Sequence, residues 1–122
     1  MKKIRAIVKR PDEKYGHVTH VSNTLENLQE LVGGYIETVP IAYDVMIVNE
    51  EGKFLGLEPN FRYGSDVICG TMVMVGRDGE EFGDCALGFD TWKKWLDEHG
   101  RLTGNGGKFC HDRITVTREV TE

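Results

Sequence analysis

The sequence predicts an α+β fold, in which two short helices pack on a mostly antiparallel sheet within one small domain covering residues 1–122. Two segments carry apolar residues at helical spacing and end at a glycine, and the other apolar segments are short and rich in β-branched residues. The chain also contains 15 glycines. Frequent glycines imply frequent turns, and therefore many short strands.

The first element is predicted to be a strand over residues 3–9, where β-branched residues alternate with charged ones. The polar residues 11–22 contain Gly16, and they form either a loop or the turn and second arm of a hairpin. Both alternatives remain open at the level of sequence.

The first helix is predicted over residues 24–32. Asn23 is a favourable N-cap, and Glu26 three residues later completes a pattern similar to a capping box. The Gly33-Gly34 pair supplies a left-handed position that ends the helix.

The middle of the chain is predicted to be mainly strands joined by turns. Strands are expected at residues 35–39 and 44–48, and residues 53–55 are expected to return as the partner of the latter after a turn at 49–52. Residues 57–65 are interpreted as a loop because they contain Pro59 and Gly64. A long central strand over 66–76, a turn at 77–79 and a short strand within 82–85 follow.

The second helix is predicted over residues 91–99, with Asp90 as N-cap and Gly100 just after its end. A glycine-rich loop at 101–108 and a final alternating strand at 112–120 complete the chain. The loop Gly104–Lys108 is similar to a glycine-rich anion-binding loop. It lacks the spacing of a P-loop and precedes a predicted strand, so a hairpin connection is the favoured interpretation.

The composition and the termini limit the class of partner. A formal net charge of −5 disfavours binding to nucleic acid, because such binding depends mainly on cations that neutralise its phosphates. The apolar run at the N-terminus is too short for a signal peptide, and no stretch reaches the length of a membrane span. We therefore expect a cytoplasmic protein that binds neither nucleic acid nor membranes.

Residues that commonly bind metals or act as nucleophiles are present without a recognisable arrangement. His17, His20, Cys110 and His111 match no zinc spacing, so ordinary surface histidines are the favoured interpretation. Cys110 and His111 would diverge on a strand, and Cys69 lies in an apolar run typical of a core. The many carboxylates leave paired-acid hydrolysis open, although no pair is marked out. We expect no metal, no cofactor and no enzyme activity.

Basic residues that lie near aromatic residues indicate a binding site for a nucleotide. A guanidinium group binds phosphate, an aromatic ring stacks on a base, and a carboxylate or an asparagine binds ribose hydroxyls. Each pair taken alone is also explained by an arginine chain lying beside a half-buried ring. The predicted ligand-binding residues are Arg10, Asn60, Arg62, Arg77, Phe82, Asp90, Trp92 and Arg113.

The chain resembles a family of small proteins found in phages and in bacteria that carry prophages, long classed as a domain of unknown function. The resemblance covers about the first four-fifths of the chain and rests on the runs KRPDEKYGH, NTLENLQELVGGYIETV, VNEEGKFLGLEPN, DVICGTMVMVG and WKKWL. The chain is also similar to the first type of Thoeris anti-defence protein. That family binds the cyclic ADP-ribose signal made by a host TIR-domain enzyme and holds it without cleaving it.

The resemblance implies a cytoplasmic phage protein that sequesters a small cyclic nucleotide as a homodimer or higher oligomer. Among the predicted ligand-binding residues, Phe82 is the first candidate for stacking on the base and Arg113 for contacting a phosphate. The alternative function is inhibition of a bacterial defence complex through protein–protein contact, or another form of phage regulation. A nucleotide-cleaving enzyme is a third alternative.

Overall fold

The computed structural model describes residues 2–102. Within this range the chain forms eight strands and two helices, which confirms the α+β class with a mostly antiparallel sheet. The elements in chain order are β1 (Lys3–Lys9), β2 (His17–Ser22), α1 (Leu25–Val32), β3 (Ile36–Ile41), β4 (Asp44–Asn49), β5 (Pro59–Tyr63), β6 (Asp66–Cys69), β7 (Met72–Asp78), β8 (Glu81–Gly83) and α2 (Phe89–His99).

The main sheet has the strand order β2-β1-β7-β4-β3, and β8 extends it by pairing with the end of β7. Every neighbouring pair of strands is antiparallel. Strands β5 and β6 form a separate two-stranded hairpin. Because β2 and β3 lie at the two ends of the strand order, each pairs with one neighbour in the described part of the chain.

The two faces of the main sheet carry different layers. Helix α1 packs on one face over a core that contains Ile4, Ala6, Val8, Leu28 and Val73. Helix α2 and the β5–β6 hairpin cover the other face, and their core is formed by Ile7, Met46, Phe61, Met74, Trp92 and Leu96 together with flanking apolar residues. Alternate residues of β1 therefore enter opposite cores, as the period of a strand requires.

The structure decides between the alternatives for residues 11–22 and corrects the cap of α1. Residues 17–22 form β2, the second arm of a hairpin with β1. The N-cap is Thr24, whose hydroxyl accepts a hydrogen bond from Asn27 N at 3.1 Å, and Asn23 instead donates its side-chain amide to Phe82 O at 3.0 Å. The helix ends at Gly33 with φ +81°, as predicted.

Three predictions for the middle of the chain are wrong. Residues 53–55 do not pair with β4, because β4 already lies between β3 and β7 and the chain turns at 50–56. Residues 59–63, interpreted as part of a loop, form β5. The long strand over 66–76 is divided at Gly70, where φ of +88° takes the chain out of the small hairpin and into the main sheet.

Helix α2 begins earlier than predicted. Its N-cap is Gly88, which forms no side-chain capping bond, and Asp90 lies in the first turn rather than at the cap. Gly100 ends the helix as expected. The predicted strand at 112–120 and most of the loop at 101–108 lie outside the described residues. Neither helix in the described range is long and apolar enough to cross a membrane.

The segment 84–88 connects the sheet to α2 and is held from two sides. Cys85 N donates to Arg5 O at 2.9 Å, and the Arg5 guanidinium donates to Cys85 O and Leu87 O at 2.9 and 3.1 Å. On the other side, the buried Asp44 carboxylate accepts from Ala86 N, Leu87 N and the Cys85 thiol. Because α2 begins directly after this segment, these bonds fix where the helix starts over the sheet.

Candidate functional site

Four of the sequence-predicted ligand residues lie in two separate places. Arg77 and Phe82 are partners in the β7–β8 pairing, and Phe82 packs against the core under α1. Asn60 and Arg62 lie on β5, which covers the opposite face of the sheet. The structure therefore brings Arg77 to Phe82, but it does not bring either of them to Asn60.

The remaining predicted residues differ in how accessible they are. Arg10 is exposed in the turn after β1, with its guanidinium 3.9 Å from the Glu13 carboxylate. The Asp90 side chain is 98% exposed, 3.8 Å from Lys93. The Trp92 ring is fully buried, so it is not available for stacking on a ligand in this arrangement. Arg113 lies outside the described residues.

A cavity of about 600 Å³ lies between the end of β1, the turn that follows it, β5 and the end of α2. We call it the Lys9 cavity. Its volume lies within the usual range for small-molecule sites. It is lined by Lys9, Pro11, Glu13, Lys14, Tyr15, Asn60, Phe61, Leu96, Asp97, Gly100, Arg101 and Leu102.

Lys9 is the most unusual residue of this cavity because it is a buried cation. It is 3% exposed, and its side chain lies on the same face of β1 as Ile7, under α2 and β5. Lys9 Nζ donates to Asn60 Oδ1 at 2.6 Å and to Asn60 O at 3.5 Å, and it lies 6.0 Å from the centre of the Phe61 ring. An ammonium group has three donors, so this arrangement leaves donor capacity for a ligand.

Asn60 holds the lysine in place through both ends of its amide. Its Nδ2 donates to Lys9 O at 2.8 Å and to Gly70 O at 2.7 Å, while its Oδ1 accepts from the ammonium. The asparagine is 5% exposed. Its donors are already used, so Asn60 orients the cation rather than binding ribose hydroxyls as predicted from the sequence.

Burial lowers the pKa of Lys9 from 10.5 to about 8, and the negative charges of Glu13 and Asp12 offset part of this decrease. Lys9 is therefore mostly cationic at neutral pH but close to its titration range. A partly desolvated cation interacts strongly with an anion, because the local dielectric constant is lower than that of water.

Tyr15 and Asp97 form one side of the cavity. The Tyr15 hydroxyl donates to the Asp97 carboxylate at 3.0 Å, and Trp92 Nε1 donates to Tyr15 O at 2.9 Å. The ammonium groups of Lys14 and Lys93 lie 5.3 and 5.6 Å from the centre of the Tyr15 ring. The core residue Trp92 thus fixes the backbone of an aromatic residue that lines the cavity.

Glu13 forms part of the wall and stabilises the turn after β1. Its carboxylate accepts from Arg10 N at 2.8 Å and pairs with His17 Nδ1 at 2.8 Å. Burial alone would raise the pKa of Glu13, but these hydrogen bonds and the nearby positive charges lower it below its usual value. Glu13 is therefore an anion whose oxygens are already engaged.

Cys85, which lies near the start of α2, is a buried thiol. The pKa of Cys85 is raised to about 11, mainly by burial and in part by the hydrogen bond to Asp44 and the negative charge of that carboxylate. Since the thiolate is the reactive form, this cysteine is a poor nucleophile at neutral pH. Within residues 2–102, no three histidine, cysteine or carboxylate side chains are grouped as a metal site requires.

We expect the free energy of unfolding to increase between pH 8 and pH 10 through Lys9. In this range the unfolded chain binds a proton at Lys9 more readily than the folded chain, so raising the pH favours the folded state, by up to about 3 kcal/mol. Urea denaturation of the wild type and Lys9→Met across this range measures the effect. Above about pH 9 the raised pKa of Cys85 acts in the opposite direction, but equally in both proteins.

The informative quantity is therefore the difference in the free energy of unfolding between the wild type and Lys9→Met. It should change steadily from pH 8 to pH 10. Parallel stability curves for the wild type and Lys9→Met would contradict the buried, titrating ammonium.

Neither Lys9 nor Tyr15 is among the ligand-binding residues predicted from the sequence. A signal for Lys9 was present, because it follows Ile7 at the two-residue period of a strand, which places it on a buried face. The contribution of the end of α2 had no comparable signal, because it depends on where the helix packs.

Comparisons with known proteins give one match. A family model described as Domain of unknown function (DUF3846) matches residues 4–87, which is well over half of the chain. No curated protein matches the chain significantly, and no solved structure does. The matched residues include Lys9, Tyr15 and Asn60, whereas α2 lies beyond them.

Proposed function

We propose that this chain, which belongs to the DUF3846 family of domains of unknown function, binds a small cyclic nucleotide of the ADP-ribose type and holds it without cleaving it. In this function it acts in the host cytoplasm as a phage anti-defence protein. Sequestration keeps the signal from the host defence effector. The resemblance to the Thoeris anti-defence family supports the choice of nucleotide and an assembly of two or more copies.

The observation that carries the proposal is the buried ammonium of Lys9 in a cavity of about 600 Å³. Keeping a cation away from water is unfavourable unless an anion or strong acceptors compensate for the lost hydration. Within the described residues, both acceptors on Lys9 Nζ are neutral, because they are the side-chain amide and the backbone carbonyl of Asn60. A phosphate group would supply the missing negative charge.

The other residues of the cavity suit the remaining parts of a nucleotide. Lys14 and Arg101 line the same cavity and supply further positive charge for a second phosphate. The Tyr15 ring offers an aromatic surface for a base, and the Asp97 carboxylate offers an acceptor for ribose hydroxyls. These cations would neutralise the phosphate charge within the cavity, so binding of a phosphate is compatible with the net charge of −5.

Holding the ligand unchanged is supported by the state of two groups of the described chain that could otherwise act as base or nucleophile. The Glu13 oxygens are bonded to Arg10 N and His17, and the Cys85 thiol is buried with a raised pKa. Nucleotide cleavage usually depends on a positioned base or nucleophile. Binding by cations and an aromatic ring needs neither.

Lys9→Met should weaken binding of cyclic ADP-ribose at least tenfold, because it removes the buried charge while keeping a side chain of similar length. Titration calorimetry at pH 7 measures the loss. The matched control is Arg77→Met, which removes one exposed charge from the distant β7–β8 hairpin.

The two variants distinguish a local contact from a general effect of charge. The control should bind as the wild type does. Equal affinity of Lys9→Met and the wild type would mean that the ligand does not use this cavity. The affinity of the wild type should also fall as the pH rises above about 8, where Lys9 loses its proton.

A protein inhibitor of a host defence complex is the second candidate. The favouring observation is that Tyr35, Tyr43 and Phe54 are 70%, 87% and 87% exposed. Large exposed apolar side chains are typical of protein-binding surfaces. Co-purification of a host protein, together with no heat of binding from a nucleotide panel, would favour this candidate.

A further inference from the structure

A second groove, of about 360 Å³, lies on the α2 face of the sheet between strands β3 and β4 and the β5–β6 hairpin. Its floor is apolar and is formed by Val39, Val48, Tyr63, Val67 and Ile68. It shares no lining residue with the Lys9 cavity. The groove is therefore separate from the proposed nucleotide site.

The rim of this groove is acidic. Glu37, Glu50, Glu51 and Asp66 all line it, and all four are exposed. Lys53 also lines it and forms an ion pair with Asp66. Within residues 2–102, Glu37, Glu50 and Glu51 form no ion pair. Three carboxylates of the rim thus have no ion-pair partner among the described residues, and the lysine that lines the groove is engaged by Asp66.

Exposed apolar side chains extend the surface. Phe54 lines the groove and is 87% exposed, and the neighbouring Leu55 is 53% exposed. Tyr35 and Leu55 line an adjoining depression together with Glu51. The turn at 50–56 therefore presents an aromatic and an aliphatic side chain to solvent beside the acidic rim, where neither contributes to the core.

We propose that this groove binds an extended basic segment of a partner protein, in which arginines or lysines alternate with apolar residues. Apolar side chains of the segment pack on Val39, Tyr63 and Phe54, which line the groove and are partly or largely exposed. Its cations pair with Glu37, Glu50 and Glu51. Charge complementarity selects such a partner over an acidic one and accelerates its association. The neighbouring β3 is an edge strand, and extended segments commonly bind beside such edges.

A labelled octapeptide that alternates arginine and valine tests the proposal by fluorescence anisotropy with the full chain. Two control peptides replace either the arginines by glutamate or the valines by serine. The arginine–valine peptide should bind, binding should weaken as salt is raised, and both control peptides should bind at least tenfold more weakly.

Variants of the protein locate the binding. Glu37→Gln combined with Glu51→Gln, and separately Phe54→Ala, should each weaken binding at least tenfold. The matched controls lie on α1, on the opposite face of the sheet: Glu26→Gln combined with Glu30→Gln, and Leu25→Ala, at a residue that is 58% exposed. These controls should bind as the wild type does.

Three results would overturn the proposal. The first is absence of binding by the arginine–valine peptide, and the second is equal loss in the groove variants and the α1 controls. The third is a doubled mass of the protein without peptide that Glu37→Gln with Glu51→Gln abolishes, because the occupant would then be a second copy of this chain. None of these results bears on nucleotide binding in the Lys9 cavity.

Discussion

Gly76→Ala is expected to lower the free energy of unfolding by at least about 3 kcal/mol. The backbone of Asp84 crosses Gly76 closely. A Cβ added to Gly76 would overlap the Asp84 carbonyl oxygen and lie 2.8 Å from the Asp84 carbonyl carbon. Backbone atoms cannot rotate away as a flexible side chain can, so either β7 or the segment 84–88 must move. Urea denaturation measures the loss.

Gly88→Ala is the matched control for this substitution. The nearest atom to an added Cβ at Gly88 is 3.9 Å away, which is ordinary van der Waals contact. Its cost should be about 1 kcal/mol or less, as expected for alanine at an N-cap. Equal stability of the two variants would show that the chain does not pass over Gly76 in this way.

Asp44→Ala is expected to destabilise the fold by about 3 kcal/mol, because it removes the acceptor of two backbone N–H groups and the Cys85 thiol. Asp44 is 2% exposed, so its removal also leaves a polar space inside the protein. The same variant should bind cyclic ADP-ribose more weakly, because the segment 84–88 determines where α2 and its part of the Lys9 cavity lie.

Asp90→Ala is the control for the loss of a carboxylate. Its side chain is 98% exposed and lies 3.8 Å from Lys93. A substitution there should change stability by about 0.5 kcal/mol or less. If Asp44→Ala were as stable as Asp90→Ala, the hydrogen bonds of Asp44 would not fix the start of α2.

Much of the fold follows from local sequence signals. Strand alternation predicted β1 with its observed bounds, and Gly33 and Gly100 marked the ends of the two helices. Strand β5 was missed because Pro59 and Gly64 at its borders are typical of loops. The division of residues 66–76 at Gly70 was missed because the apolar pattern on both sides is continuous.

The candidate site could be predicted less well from the sequence than the fold. Arginine–aromatic neighbours along the chain led to Phe82 and Arg77, which lie together but away from the Lys9 cavity. Trp92 was treated as a ligand residue because helical spacing does not show which aromatic side chain is completely covered. The cavity itself depends on β1, β5 and α2, and contacts between such distant segments leave no local pattern.

Recovery of the ligand tests the central claim most directly. The wild type and Lys9→Met are each incubated with cyclic ADP-ribose at pH 7, separated from free nucleotide by gel filtration, and denatured by heat. Mass spectrometry of the released material should show unchanged cyclic ADP-ribose from the wild type and little from Lys9→Met. Recovery of no nucleotide from the wild type, of equal amounts from both proteins, or of a cleaved product would contradict the claim.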